Sequence, residues 1–146
     1  MKTVAQILGS KPYQAVHTIE PTASVYEAVK LMADKNVGAL VVVEHGKVVG
    51  IVSERDYARK VVLMSRSSKG TLLHEIMSSP VMYAHPWQTS DECMAVMTEN
   101  RLRHLPVMED DQLIGLVSIG DLVKATISEQ QFIIEQLEHY ISGQRD

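Results

Sequence analysis

The chain has 146 residues, 45% hydrophobic and 22% charged, with 18 acids against 14 Lys and Arg for a formal charge of −4. These proportions fit one ordinary globular chain and exclude collagen-like, disordered and disulfide-stapled molecules, while the acidic balance disfavours a broad nucleic-acid surface. The longest apolar stretch, Gly38 to Val43, falls far short of the roughly 20 residues that cross a bilayer, and Met1-Lys2-Thr3-Val4-Ala5-Gln6 lacks the apolar block of a signal peptide, so a cytoplasmic location is expected.

In chain order, residues 1–14 form a lead-in in which Val4-Ala5-Gln6-Ile7-Leu8 reads as a short helical turn. From Ala23 to Lys35, Val25, Ala28, Val29, Leu31 and Met32 recur at helical spacing, with Ser24 as N-cap and Glu27 three residues on. Gly38–Val43 and Lys47–Val52 are β-branched runs joined at His45-Gly46, which predicts a hairpin. The polar, small residues Ser65 to Gly70 read as a linker. Thr89–Asn100 then gives a second helix, His104–Met108 and Leu113–Val117 a second hairpin around Asp110-Asp111, and Asp121–Ser142 a long helix ended by Gly143. In that last helix Ile127, Ile134 and Ile141 stand seven apart beside Ile133, Leu137 and Tyr140; the stripe either docks on the second unit or pairs with another subunit.

These elements form an internal repeat. Pro21–Tyr57 aligns with Pro86–Leu122 without a gap at a constant offset of 65, matching Glu27 with Glu92, Met32 with Met97, Gly50 with Gly115, Ser53 with Ser118 and Asp56 with Asp121. A weaker match, Val4–Leu8 with Leu73–Met77, precedes each copy. The resulting division is a lead-in over 1–14, a first unit with its linker over 15–70, a second unit over 71–126 and a C-terminal helix over 127–146.

The most informative pieces are the matched strand ends, Gly50-Ile51-Val52-Ser53-Glu54-Arg55-Asp56 and Gly115-Leu116-Val117-Ser118-Ile119-Gly120-Asp121. Each delivers a serine to a helix start and an aspartate three residues later. Such a pair can simply cap free backbone N–H groups. The same geometry also suits a nucleotide, because a helix start favours anions and one carboxylate can accept both hydroxyls of a ribose.

With Asn36-Val37-Gly38-Ala39-Leu40-Val41-Val42 and Arg101-Leu102-Arg103-His104-Leu105-Pro106-Val107, these duplicated strand ends resemble the tandem cystathionine-β-synthase-type (CBS) domain pair, or Bateman module, over nearly the whole chain. The resemblance implies an α/β chain of the α+β kind: two β-α-β-β-α units packed with pseudo-two-fold symmetry, plus the C-terminal helix. It further implies a non-catalytic regulatory module that binds an adenine nucleotide (AMP, ADP, ATP or NAD) in clefts between its units and pairs into a homodimer serving a regulated partner. By position, Asp56 and Asp121 would hold ribose hydroxyls, and Ser53 and Ser118 would contact ribose or phosphate. Main-chain groups around Thr18, Ile19, Ala39, Tyr83, Ala84 and His104, with Pro106 beside them, would line the base pocket.

The copies are unequal. Arg55 follows Ser53 where the second copy has Gly120, and Arg103-His104 replaces Gly38-Ala39, so phosphate binding is expected to differ between the sites. Arg55, Arg59, Lys60, Arg66 and Lys69 against Asp56 alone make this stretch basic, either as a solvated face or as a local anion site. Cys93, among Met94, Val96 and Met97, is expected in the core. Trp87 is expected to pack at a helix entrance. The six histidines show no i, i+4 pair and no cysteine partner, so no metal is expected. The chain is too short for a catalytic barrel of about 250 residues; the competing reading is a structural dimerisation adaptor whose Ser…Asp pairs are only caps.

Overall fold

The computed structural model, which describes residues 1–11 and 16–143, is an α+β fold of two packing units, Ala15–Met82 and Met1–Gln14 with Tyr83–Asp146. In the first-repeat unit, strand β1 (Thr18–Ile19) leads to helix α2 (Val25–Lys35) and the hairpin β2 (Ala39–Glu44) and β3 (Lys47–Ser53). A short helix α3 (Glu54–Asp56) continues as a π-helix over Tyr57–Val62, and a 3-10 turn follows at Leu73–Glu75. The second-repeat unit contains helix α1 (Val4–Ser10), helix α4 (Ser90–Asn100), the hairpin β4 (His104–Glu109) and β5 (Gln112–Ser118), and helix α5 (Ile119–Gly143).

Both repeats fold by the same local rules. The Ser24 hydroxyl accepts the Glu27 N–H at 3.1 Å and the Thr89 hydroxyl accepts that of Glu92 at 3.3 Å, so each helix starts on a side-chain cap. Asn36 and Arg101 end the two helices in the left-handed conformation, both at φ 55°. The hairpin turns need positive φ at both central residues, which His45-Gly46 and Asp110-Asp111 supply. The antiparallel register slips at the same place in each hairpin, between Val42 and Val43 and between Val107 and Met108. β1 pairs parallel to β2, whereas the matching position in the second repeat, Ala84, makes a single parallel bridge to Val107.

The lead-in segments pack in a way that the repeat alone does not announce. Leu73 and His74 N–H groups bond the Ala23 and Pro21 carbonyls within the first-repeat unit, at 2.9 and 3.0 Å. Val4 and Ala5 make the matching bonds to Gln88 and Pro86, at 2.8 and 2.9 Å. The turn that precedes each repeat in sequence therefore belongs to the other repeat's unit, and packing changes over at 82/83 rather than at the sequence boundary of 70/71. The matched glycines make room for these contacts. A Cβ on Gly50 would lie 2.5 Å from the Met77 sulfur, and one on Gly115 would lie 2.8 Å from Leu8 Cδ1, so each bare strand position receives a lead-in side chain.

Val25, Ala28, Met32, Leu40, Val42, Val52, Leu73 and Ile76 form one core, and Val4, Ile7, Cys93, Met97, Leu105, Val117 and Leu122 form the other. Cys93 is buried, and loss of hydration, with Glu92 adding, pushes its thiol pKa up, as suits a core residue. Trp87 departs from expectation: it is 69% exposed and stacks on His85 with ring centroids 5.4 Å apart, while the Val4 and Ala5 N–H groups bond the Gln88 and Pro86 carbonyls beside it.

Candidate functional site

Each hairpin sets the start of its following helix directly opposite the start of its first strand. Ala39 pairs with Ser53 and His104 with Ser118 in register. The Glu54 N–H reaches the Gly38 carbonyl at 3.1 Å and the Ile119 N–H reaches that of Arg103 at 2.8 Å. Ala39, Ser53 and Asp56 thus gather at one end of the first hairpin, and His104, Ser118 and Asp121 at the same end of the second.

At both ends the serine and aspartate close on each other. Asp56 Oδ2 accepts the Ser53 N–H at 2.9 Å and its hydroxyl at 3.1 Å, while the Asp56 N–H returns to Ser53 Oγ at 3.3 Å. Asp121 Oδ2 accepts the Ser118 N–H at 2.9 Å, and the Asp121 N–H reaches Ser118 Oγ at 3.1 Å. The capping geometry is therefore realised in both copies. It also fixes each carboxylate at a helix start, so a sugar would meet a positioned acceptor.

A lysine completes each box, from non-equivalent places in the chain. Lys60, four residues after Asp56, lies 3.1 Å from Asp56 Oδ1 and donates to the Ile76 carbonyl at 2.9 Å. Lys11, just beyond α1, donates to Asp121 Oδ2 and to the Leu116 carbonyl, both at 2.9 Å. Burial opposes the charge on Asp121, but the Ser118 N–H and the Lys11 ammonium outweigh it and hold the carboxyl below its ordinary value. Lys11 and Asp121 open on a cavity of about 240 Å³, lined also by Lys2, Ser10, Lys124 and Ser128. That is smaller than the roughly 300–1,000 Å³ of drug-sized ligand pockets, and its three ammonium groups suit an anionic fragment.

The remaining expected residues are distributed around these ends. Thr18 is exposed and Ile19 half-buried on β1, Ala84 is buried with its N–H on the Pro106 carbonyl at 2.8 Å, and Pro106 itself is buried. Tyr83 and Arg103 are exposed, Arg55 is exposed on the helical turn after Ser53, and His104 is half-buried at the start of β4. Neither Lys11 nor Lys60 was singled out by sequence reasoning as a partner of the carboxylates. The i, i+4 spacing of Asp56 and Lys60 is a readable signal; the sequence separation of 110 between Lys11 and Asp121 offers none.

A β-α-β-β-α unit and a second copy that reduces the first strand to one bridge at Ala84, both with matched Gly-Ser-Asp strand ends, define a tandem pair of small α+β modules. The CBS domain family model matches residues 4–63 and 73–128, so the chain belongs to the CBS-domain family. A solved protein with CBS domains from Burkholderia ambifaria MC40-6 is 56% identical, with a TM-score of 0.84 over 88% of this chain and 96% of that one. The Arabidopsis thaliana CBS domain-containing protein CBSX3, mitochondrial, is 44% identical over 82% of this chain, which spans 61% of that protein's length. The CBS domain pair of protein MJ0100, solved in complex with 5′-methylthioadenosine and S-adenosyl-L-methionine, is 28% identical with a TM-score of 0.76, covering 88% of this chain and 98% of that one. No helix among the described residues is long and apolar enough to cross a membrane.

Proposed function

We propose that the chain is a non-catalytic regulatory module that binds an adenosine-containing ligand at its serine–aspartate strand ends and, assembled as a homodimer, passes the bound state to a partner protein. Asp56 and Asp121 accept ribose hydroxyls, Ser53 and Ser118 assist, and backbone groups at Thr18, Ile19, Ala39, Tyr83, Ala84 and His104, with Pro106, face the base. Arg55 serves a phosphate in the first repeat, where the second has Gly120, and Arg103 and His104 stand in the second where the first has Gly38 and Ala39. The observation that carries the reading is the duplicated, geometrically fixed carboxylate at a helix start, supported by the adenosine compounds held by the related MJ0100 pair.

Binding at Asp121 Oδ2 has a cost, because a diol that takes this oxygen competes with the Lys11 ammonium. A charge-assisted contact is worth about 1.5–3 kcal/mol, so its loss must be offset by new contacts, which a phosphate or carboxylate near Lys11 would supply. Sensing also requires different affinities for two arrangements of the module, not binding alone.

Calorimetric titration of ligand-stripped protein with AMP, ADP, ATP, NAD, 5′-methylthioadenosine and S-adenosyl-L-methionine tests the reading. At least one of them should bind, and its 2′-deoxy analogue should bind roughly ten- to a hundredfold more weakly. Equal affinity for ribose and deoxyribose forms would transfer the boxes to the adaptor reading, which the closed capping geometry favours.

A further inference from the structure

Helix α5 runs for 25 residues, yet only Leu122 and Ala125 on it are buried. From Gln130 to Ser142 every residue is exposed, a projection of roughly 20 Å at 1.5 Å per residue. This exposed part is strongly two-sided. At about 100° per residue, Ile127, Ile133, Ile134, Leu137, Tyr140 and Ile141 fall within one arc of about 140°, while Glu135 and Glu138 lie beyond its edge. Those six side chains are 50–64% exposed, an apolar face of a kind that water-facing helices do not carry without a partner.

We infer that this face is a parallel two-stranded seam with α5 of a second copy of the chain; the inference rests on the two-copy assembly proposed above and is independent of the ligand. Three observations select this occupant. Ile127, Ile134 and Ile141 stand at the seven-residue spacing that keeps a seam in register, with Leu137 at the intervening position, and isoleucine at the first heptad position with leucine at the fourth favours two parallel strands. Gln130 takes the other fourth position, where a polar side chain weakens the seam without breaking its spacing.

Charge supplies the second argument. Between Ala125 and Gly143 the ionisable cations are absent apart from His139, and Glu129, Glu135 and Glu138 make the polar side acidic. A helix lying on an anionic membrane carries Lys and Arg there instead. In the parallel pair the flanking positions hold Ile133 and Tyr140 on one side and Gln131 and Glu138 on the other, so no acid faces an acid across the seam. Third, six side chains exposing roughly 100 Å² each remove on the order of 1,200 Å² from water in a pair, the lower bound for a stable specific interface.

Sedimentation equilibrium of the full chain reads the association. The wild type should be a dimer, Ile134→Glu with Ile141→Glu should weaken dimerisation by roughly a hundredfold or more, and Phe132→Glu, off the arc, should leave it unchanged. All three positions are exposed, so circular dichroism should show intact folding. Under oxidation Ile134→Cys should cross-link two copies and Phe132→Cys should not. A monomeric wild type, whether alone or bound to anionic vesicles, overturns the inference. So does a dimer that survives the double substitution, which would place the contact elsewhere and leave the two-copy assembly standing. A dimer in which Ile134→Cys fails to cross-link overturns the parallel seam. Calorimetry on the same variants reads ligand binding separately.

Discussion

The serine–aspartate box shows how one local device serves two purposes. The serine hydroxyl and the aspartate carboxylate satisfy backbone N–H groups that a helix start leaves open, which stabilises the turn by about 0.5–2 kcal/mol, and in doing so they hold a carboxylate still. Lys11 tunes that carboxylate in the second-repeat unit. Because Asp121 in the fold lies below its ordinary 3.8, the stability that it contributes is complete above that value and is lost as pH falls through the lower folded value. Lys11→Met should therefore move the Asp121 midpoint upward in a carboxyl-carbon NMR titration and narrow the acid range over which stability drains away. An unchanged midpoint would remove Lys11 from the site. The boxes were legible because capping is local, three residues from donor to acceptor. The Lys60 contact has a local signal, its spacing of four from Asp56 inside the basic stretch from Arg55 to Lys69, whereas tertiary packing alone brings Lys11 to Asp121.

At the scale of elements, the two hairpins carry their instructions in the chain: β-branched runs, positive-φ turns, and a glycine two residues before the last apolar strand position. That glycine is where local reading stops. Its bareness signals a close approach, but not by which segment. The structure answers with Met77 over Gly50 and Leu8 over Gly115. Methionine can swing aside more easily than branched leucine, so Gly115→Ala should destabilise by about 1–3 kcal/mol and Gly50→Ala by less. Urea unfolding measures both. Leu8→Ala should show favourable coupling with Gly115→Ala in a double-mutant cycle, because trimming the leucine opens room for the new methyl. Strictly additive effects would mean that the lead-in does not press on β5. Helix α5 illustrates the opposite case: its stripe was evident in sequence, yet docking and pairing use the same periodicity, and exposure in the fold was needed to separate its buried start from its open remainder.

For the whole molecule, the duplication at one offset made the fold class and its family legible, since each copy repeats the same caps, turns and strand ends. The partition of the lead-ins was not legible, because self-similarity says which segments are equivalent and not which segments touch. Two boxes, identical in plan but completed by lysines from different parts of the chain, make a module with two related and unequal acceptors. The decisive measurement is a calorimetric titration of the tightest adenosine compound into wild type and into Asp56→Asn/Asp121→Asn, with melting temperatures recorded alongside. Asparagine keeps a cap acceptor but loses the charge that grips a diol, so affinity should fall at least about tenfold while the fold persists. Undiminished affinity in the double variant would contradict the account.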